Sequence, residues 1–330
     1  MAHPTRRLVV TAVTAVLLVA LSLVAPPDRS GLVGPESATA ASLPQPGQRG
    51  TSVRALQQRL VQAGYLRAQY RTGYYGSRTK KAVKALQRAS KLKATGRMTR
   101  ATDRALTTAV AAMKGPRTWY HSETIGRSQS GRAISAYRAG EPGRPVVVVM
   151  ATMHGEEDFG QYVAYGLLEG RPVRGVDLWV VPVVNPDGLA HDRRWVDGHV
   201  DLNRNFPYAW VKRANSGPRA VSERETRVIM DFLRRTQPRY LVSWHQPLNG
   251  VDTDKVKDLA LSKRLATNLQ LPLKELDCGG VCHGTMTAWY NHTFAGAAVT
   301  VEYGSAARST RRMKTRDADA VLAAVGGRRG

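Results

Sequence analysis

Val146-Val-Val-Val-Met-Ala-Thr-Met-His154-Gly-Glu-Glu157 reads as a buried strand that ends in a histidine, with a carboxylate three residues further on. Three other segments share that grammar. Val176-Asp-Leu-Trp-Val-Val-Pro-Val-Val184 runs into Asn185-Pro-Asp-Gly188, Arg239-Tyr-Leu-Val-Ser-Trp244 into His245, and Gly296-Ala-Ala-Val-Thr-Val301 into Glu302. In an open α/β sheet, ligands sit beyond the carboxyl ends of the strands where strand order reverses, so four chemically loaded strand ends predict one shared cleft. A catalytic zinc takes three protein ligands and leaves a fourth position open, which His154, Glu157 and His245 would satisfy. Glu302 is then a spare carboxylate for moving protons. The remaining histidines, His121, His191, His199, His283 and His292 among them, have no metal spacing and are expected to be ordinary.

These segments belong to a longer ordered set: Ile125-Gly-Arg-Ser with Gly131-Arg-Ala-Ile134, His154-Gly-Glu-Glu157, Asn185-Pro-Asp-Gly188, Asp201-Leu-Asn-Arg-Asn-Phe-Pro207, His245 and Glu302. In that order they resemble the zinc carboxypeptidases related to carboxypeptidase A, of the murein-peptide-amidase kind, from about Trp119 to the last helix. The resemblance implies one Zn2+ held by His154, Glu157 and His245, with Glu302 as general base and then acid. It also implies a cation for the charge growing on the scissile carbonyl oxygen. Arg194 has the family's spacing before Asp201, with Arg193 adjacent as the alternative. Asn203 and Arg204 align with the clamp for the substrate's terminal carboxylate, a task suited to arginine's planar fork. Gly284-Thr-Met-Thr-Ala-Trp-Tyr-Asn291 resembles the segment lining the side-chain pocket, which puts Thr287 at the specificity position. The family's mobile substrate-binding tyrosine would fall in Gly279-Gly280-Val281, where there is none.

A chain of 330 residues is long enough for two domains plus extras. Residues 1–40 read as a signal or leader: His3, Arg6 and Arg7 precede an apolar run from Leu8 to Val24, and Ala38-Thr-Ala40 fits the small-residue cleavage rule. That site lies far downstream of the apolar run, so an uncleaved membrane anchor is the alternative. The only two cysteines, Cys278 and Cys282, lie in a glycine-rich loop, and after an export signal they are expected to form a disulfide.

Residues 41–113 carry a helical period, with Val53, Leu56 and Leu60, then Val83 and Leu86, then Leu106, Val110 and Met113 at helical spacing. Val53-Arg-Ala-Leu-Gln57 and Val83-Lys-Ala-Leu-Gln87 echo each other, and Gly64-Tyr65, Gly73-Tyr-Tyr-Gly76, Thr79 and Gly96 complete a pattern that resembles the three-helix peptidoglycan-binding domain of bacterial wall hydrolases. The acidic residue usual before the glycine-aromatic-glycine turn is replaced by Thr72. From Ala41 to Gly115 there are sixteen Lys and Arg against one acid, Asp103, which is most of the chain's excess of +24. A solvated basic face is one reading of such a run. Affinity for anionic wall polymers is the other, and nucleic acid is not expected because no recognition helix or stacking motif accompanies the charge.

Beyond Lys114-Gly-Pro-Arg117, residues 116–326 alternate strand runs with helical patterns over Phe159 to Leu168, Asp254 to Leu269 and Arg316 to Ala324, and Ser222-Glu-Arg-Glu225 reads as a capping box. The expected fold is α/β, a mixed, largely parallel sheet with helices on both faces, preceded by a small all-α three-helix domain. The expected activity is hydrolysis of the amide bond next to a C-terminal residue by a secreted, wall-associated zinc metallocarboxypeptidase with peptidoglycan stem peptides as substrate. A general secreted carboxypeptidase and a non-catalytic wall-binding protein are the alternatives.

Overall fold

The computed structural model describes residues 42–66, 70–112, 115–196, 198–276, 282–306 and 308–330, so the expected leader lies outside the described residues. Three helices come first: α1 (Thr51–Gln62), α2 (Ser77–Ala89) and α3 (Arg100–Ala112). Of the stripe the period predicts, Val53, Leu56, Leu60, Val83, Leu86 and Leu106 are buried and Val110 is half-buried, while Met113 lies outside the described residues. The echoed Leu-Gln pairs have a physical reason. Each glutamine is buried at the end of the echo and clamps the turn that follows its helix. Gln57 accepts from Gly73 N (2.8 Å) and donates to Tyr74 O (2.9 Å) and Thr79 Oγ1 (2.8 Å). Gln87 accepts from Gly96 N (2.8 Å) and donates to Arg97 O (2.9 Å) and Thr102 Oγ1 (3.0 Å). Gly73 and Gly96 both have φ near +70°, at 72° and 71°, where a side chain would be strained.

The sheet follows: β1 (Trp119–Arg127), β2 (Ala133–Gly140), β3 (Val146–Met150), then α4 (Gly160–Leu167), a two-residue β4 (Val173–Arg174), β5 (Asp177–Val181) and α5 (Pro186–His191). Next come α6 (Arg224–Thr236), β6 (Tyr240–His245), β7 (Leu248–Asp252), α7 (Leu259–Leu269), β8 (Leu273–Lys274), α8 (Met286–Thr293) and β9 (Ala297–Gly304). The chain ends through α9 (Thr310–Arg312), a π turn (Met313–Asp317), α10 (Ala318–Ala324) and β10 (Arg328–Arg329), which pairs with β4.

Eight strands form one sheet in the order β1-β2-β5-β3-β6-β9-β7-β8. The central four, β5, β3, β6 and β9, are mutually parallel, while β1 and β2 on one side and β7 on the other run antiparallel to their inner neighbours. The uninterrupted valines of β3 follow from burial on both faces. Val147 and Val149 pack in the layer of α4, α7 and α10, with Val163, Leu265 and Val321. Val148 and Met150 pack in the layer of α6 and α8, with Ile229, Phe232 and Tyr290. From β3 the chain crosses to β5 on one side and later returns to β6 on the other. The strand order therefore reverses at β3, and the carboxyl ends of β3 and β6 flank the crevice where a site is expected.

Several local expectations are corrected. The Ser222 to Glu225 capping box does not form: the N-cap is Glu223, Ser222 Oγ is engaged by Asn205 Nδ2 (2.9 Å) and Glu223 Oε1 (2.7 Å), and the buried Glu225 accepts from Gln129 N (2.8 Å). The helix expected from Asp254 begins at Leu259, because Asp252 Oδ1 holds the Asp254 amide in a turn, Lys255 has φ of 47°, and Asp258 is the cap that accepts from Leu261 N. The last helical run begins earlier than Arg316, at Thr310, where Ser309 caps it. Glu302 lies inside β9 rather than beyond its end. Among the described residues no helix is long and apolar enough to cross a membrane.

Candidate metal centre and active site

His154 stands four residues past the end of β3, on a turn that only a glycine at 155 permits. A Cβ on Gly155 would lie 1.9 Å from the carbonyl carbon of Gly188, so the His-Gly-Glu turn and the Asn-Pro-Asp-Gly turn pack backbone against backbone. Asn185 caps α5 by accepting from Gly188 N at 2.8 Å. The buried Asp187 accepts from Ser128 Oγ (2.9 Å), Ser130 N (3.1 Å), Ser130 Oγ and Arg132 Nη1 (2.6 Å). Burial raises that carboxyl, but the bonds from Ser130, Arg132 and Ser128 outweigh it and bring it to about 2. Sequence motifs spread over sixty residues are thus one interlocked support for the first ligand turn.

His154, Glu157 and His245 converge, all buried, with one ligand atom of each within 4.8 Å of the others. His154 Nδ1 lies 2.8 Å from Glu157 Oε1, His245 Nδ1 3.0 Å from Glu157 Oε2, and the two Nδ1 atoms 3.2 Å apart. A tetrahedron with bonds of roughly 2.0–2.1 Å has edges of about 3.3 Å, so this is the spacing of a zinc ligand set drawn slightly together. The far side of each ring supports the same reading. His154 Nε2 faces Asp201 Oδ1 at 2.9 Å and donates to it, which leaves the lone pair on Nδ1. His245 Nε2 faces Ser243 Oγ at 3.1 Å. Two imidazole lone pairs and a carboxylate pointed at one spot are a donor set for a cation, and the residues fit zinc. Burial lowers the His154 pKa, but Glu157 and Asp201 pull harder and raise it to about 9, so the pocket is built to hold positive charge.

Asp201 was not expected to support the metal, although it stands in the sequence motif read as the substrate clamp. Burial raises its pKa, while His154 and Arg194 hold it well below the usual carboxylate range. Asp201→Asn is therefore expected to weaken zinc binding about 10–100-fold with the fold intact, because the partner that orients and polarises His154 is lost. Chelator competition measures this, and unchanged affinity would remove Asp201 from the support.

Arg194 Nη1 donates to Glu157 Oε1 (2.9 Å) and its Nε to Asp201 Oδ2 (3.0 Å), whereas Arg193 has an exposed side chain. Glu302 is paired in register with His245 across β6 and β9, and its Oε2 accepts from Leu248 N at 3.0 Å. Burial raises its pKa more than His245 lowers it. Glu302, Asn203, Leu248, Thr285, Thr287 and Asp252 line one cleft. Thr287 reaches it from α8, with its hydroxyl 3.3 Å from that of Thr300. Asn203 Oδ1 accepts from Met286 N at 2.9 Å, which fixes its amide at the cleft wall.

Arg204 is adjacent but lines a neighbouring cavity with Arg213, Asn215 and His283. Asp252 and Asp254, also in the Glu302 cleft, had no sequence signal as site residues, since β7 carries no motif and Asp254 was expected only to open a helix. Cys282 borders the cleft too, but Cys278 lies outside the described residues, as do Gly279, Gly280 and Val281.

The zinc carboxypeptidase family pattern matches residues 111–248, which includes all three metal ligands but stops short of Glu302, and the peptidoglycan binding domain pattern matches residues 49–106. Murein peptide amidase A of Escherichia coli K12 is 30% identical over 169 residues, covering 46% of this chain and 69% of that one. Metallocarboxypeptidase A of Trichophyton tonsurans is 31% identical over 121 residues, covering 28% and 29%. Among solved structures, the murein-tripeptide amidase of Escherichia coli O157 superposes with a TM-score of 0.52 at 25% identity, over 61% of this chain and 90% of that one. Carboxypeptidase A of Helicoverpa armigera gives 0.51 at 17% identity over 69% and 71%, a likeness of fold.

Proposed function

Since the chain belongs to the zinc carboxypeptidase family and carries a peptidoglycan-binding domain, we propose that it is an exported enzyme that removes the last residue from peptidoglycan stem peptides. The observation that carries this reading is the single cleft in which Glu302, Asn203, Thr287 and Asp252 meet beside the buried His154, Glu157 and His245.

His154, Glu157 and His245 would hold the zinc, which when bound polarises the scissile carbonyl and acidifies the attacking water. Glu302 takes the proton from that water and returns it to the leaving amine. Its burial favours the protonated form, so the acid stage of that cycle is accessible to it. Arg194, held at the rim of the metal site by Asp201, supplies positive charge where the carbonyl oxygen becomes negative. Asn203 offers its amide to the substrate's terminal carboxylate, and Arg204 beside it contributes the charge. A chain that continues past this point would meet the clamp without a carboxylate to pair with it, which makes the enzyme an exopeptidase.

The specificity reading rests on Thr287 and its neighbours. A small hydroxyl leaves room for a long side chain, and the cleft around it carries both signs of charge: the carboxylates of Asp252 and Asp254, and the ammonium of Lys255. Burial pushes Asp252 up to about 6, so at neutral pH it is mainly ionised and suited to an ammonium. A side chain ending in both an amine and a carboxylate, as in diaminopimelate, matches that lining. The stem tripeptide ending in diaminopimelate is therefore expected to give a higher kcat/KM than peptides ending in Phe, Leu or Lys. If any of those is cleaved more efficiently, a general carboxypeptidase is the better description.

Wall association and export rest on the module and its charge. The full-length Glu302→Gln protein is expected to sediment with purified cell walls, and the bound fraction is expected to fall as salt rises, because screened Coulomb attraction carries part of the affinity. Walls stripped of teichoic acid should bind less. Binding that is indifferent to both salt and teichoic acid would assign recognition to a neutral pocket and exclude the polyanion contribution.

A further inference from the structure

Asp158 directly follows the metal ligand Glu157, and Asp192 stands two residues before Arg194. Both carboxylates are held by one residue of the helical module. Arg71 Nη1 lies 2.7 Å from Asp158 Oδ2, and Nη2 donates to Asp192 Oδ1 at 3.1 Å. The pair with Asp158 is buried, with the arginine side chain 11% and the aspartate 3% exposed. Gln58 of α1 accepts from the same guanidinium and reaches the Tyr162 hydroxyl of α4 at 3.4 Å. Arg54 joins Asp192 from the more exposed side, and the buried Thr310 hydroxyl donates to Val61 O at 2.8 Å, so the module is seated on α4 and α9 as well. The three helices and the sheet pack as one unit, Leu43–Gly330.

A domain tethered only to raise local substrate concentration needs none of these contacts, since a flexible linker leaves its orientation free. We infer that Arg71 is a positioning residue, through which the helical module clamps the loop bearing Glu157 to the loop bearing Arg194 and so becomes part of the catalytic apparatus. The physical reason is charge. Asp158 and Asp192 share the Arg71 guanidinium, Asp158 with 3% and Asp192 with 31% of its side chain exposed, and a buried carboxylate such as Asp158 stays where it is only while it is paired. The planar fork donates to Asp192 and Gln58 while its charge lies against Asp158, whereas a lysine ammonium is a single point of charge that would hold one of them. Without the guanidinium Asp158 is left buried opposite Asp192, which keeps only Arg54 among the described residues, and the displacement falls on the residues adjoining them, Glu157 and Arg194. Small misplacements of such groups cost rate rather than binding.

The test uses the full-length protein and a soluble peptide with a free C-terminal carboxylate, too short to reach the module. Arg71→Ala is expected to lower kcat about 10–100-fold, with KM within about twofold of the parent. Arg71→Lys should recover part of the loss, and Arg54→Ala, on the more exposed side of Asp192, should leave kcat nearly unchanged. A second readout does not depend on turnover: in metal-free Arg71→Ala, hydrogen exchange should quicken in the peptides spanning residues 154–160 and 190–196. If Arg71→Ala fails to fold, Asp192→Asn removes one arm of the clamp and should show the same split between kcat and KM to a smaller degree. Parent-like kcat in the folded Arg71→Ala protein, or in Asp192→Asn where the alanine variant does not fold, overturns the inference, as does unchanged exchange in both loops. A protein that cleaves no peptide at all would instead count against the proposed activity, and the exchange measurement would still decide the role of Arg71.

Discussion

Glu302→Gln is expected to retain the fold and zinc while losing turnover by about 10²–10⁴-fold or more. The amide keeps the size of the side chain and can still face Leu248 N, whose bond at 3.0 Å holds the carboxylate in place, so the cleft has no reason to collapse. What disappears is a group that can accept a proton from water and give it to an amine. Because Glu302 is not among the three converging metal ligands, zinc content should match the parent. Steady-state kinetics beside metal analysis reads both halves of the prediction. Turnover within tenfold of the parent would show that another group moves the proton.

His245→Ala should fail in the opposite way, losing the metal first and activity as a consequence. The substitution leaves His154 and Glu157 as a two-ligand set, and the drop in zinc affinity should exceed the roughly 10–100-fold that follows from losing a hydrogen-bond partner of a ligand. The fold should persist, since His245 ends β6 after the strand's inner residues Leu241 and Val242 are already packed on either face of the sheet. Equal zinc affinity in parent and variant would mean that the ligand set is wrong.

Much of this site was legible in the sequence because its chemistry is placed by strand ends. The valines of β3, the run before His245 and the run before Glu302 each announce a buried strand, and parallel strands deliver their carboxyl ends to one edge. The helical module was legible for a different reason: each Leu-Gln echo is anchored by a glycine amide and a threonine hydroxyl, Gly73 and Thr79 for Gln57, Gly96 and Thr102 for Gln87.

What the sequence concealed depends on contacts between distant segments. Ser243 supports His245 without a motif, and Asp201 serves the metal from within a stretch whose pattern reads as a substrate clamp. Asp252 enters the cleft from the antiparallel β7, which has no periodicity strong enough to place it. The capping box at Ser222 failed because Asn205 and Glu223 take the serine hydroxyl, a competition invisible along the chain. Arg71 shows the same limit, as its partners Asp158 and Asp192 lie about ninety and one hundred and twenty residues away in sequence.

The most direct test of a zinc carboxypeptidase acting on wall peptides is the mass of its products. Purified zinc-loaded protein is incubated with the peptidoglycan stem tripeptide, and the mixture is resolved by mass spectrometry beside the Glu302→Gln protein. The predicted result is free diaminopimelate and the matching dipeptide, formed only by the parent enzyme. Products cut at the inner bond of the tripeptide, or no products from a zinc-loaded protein that is correctly folded, would contradict it.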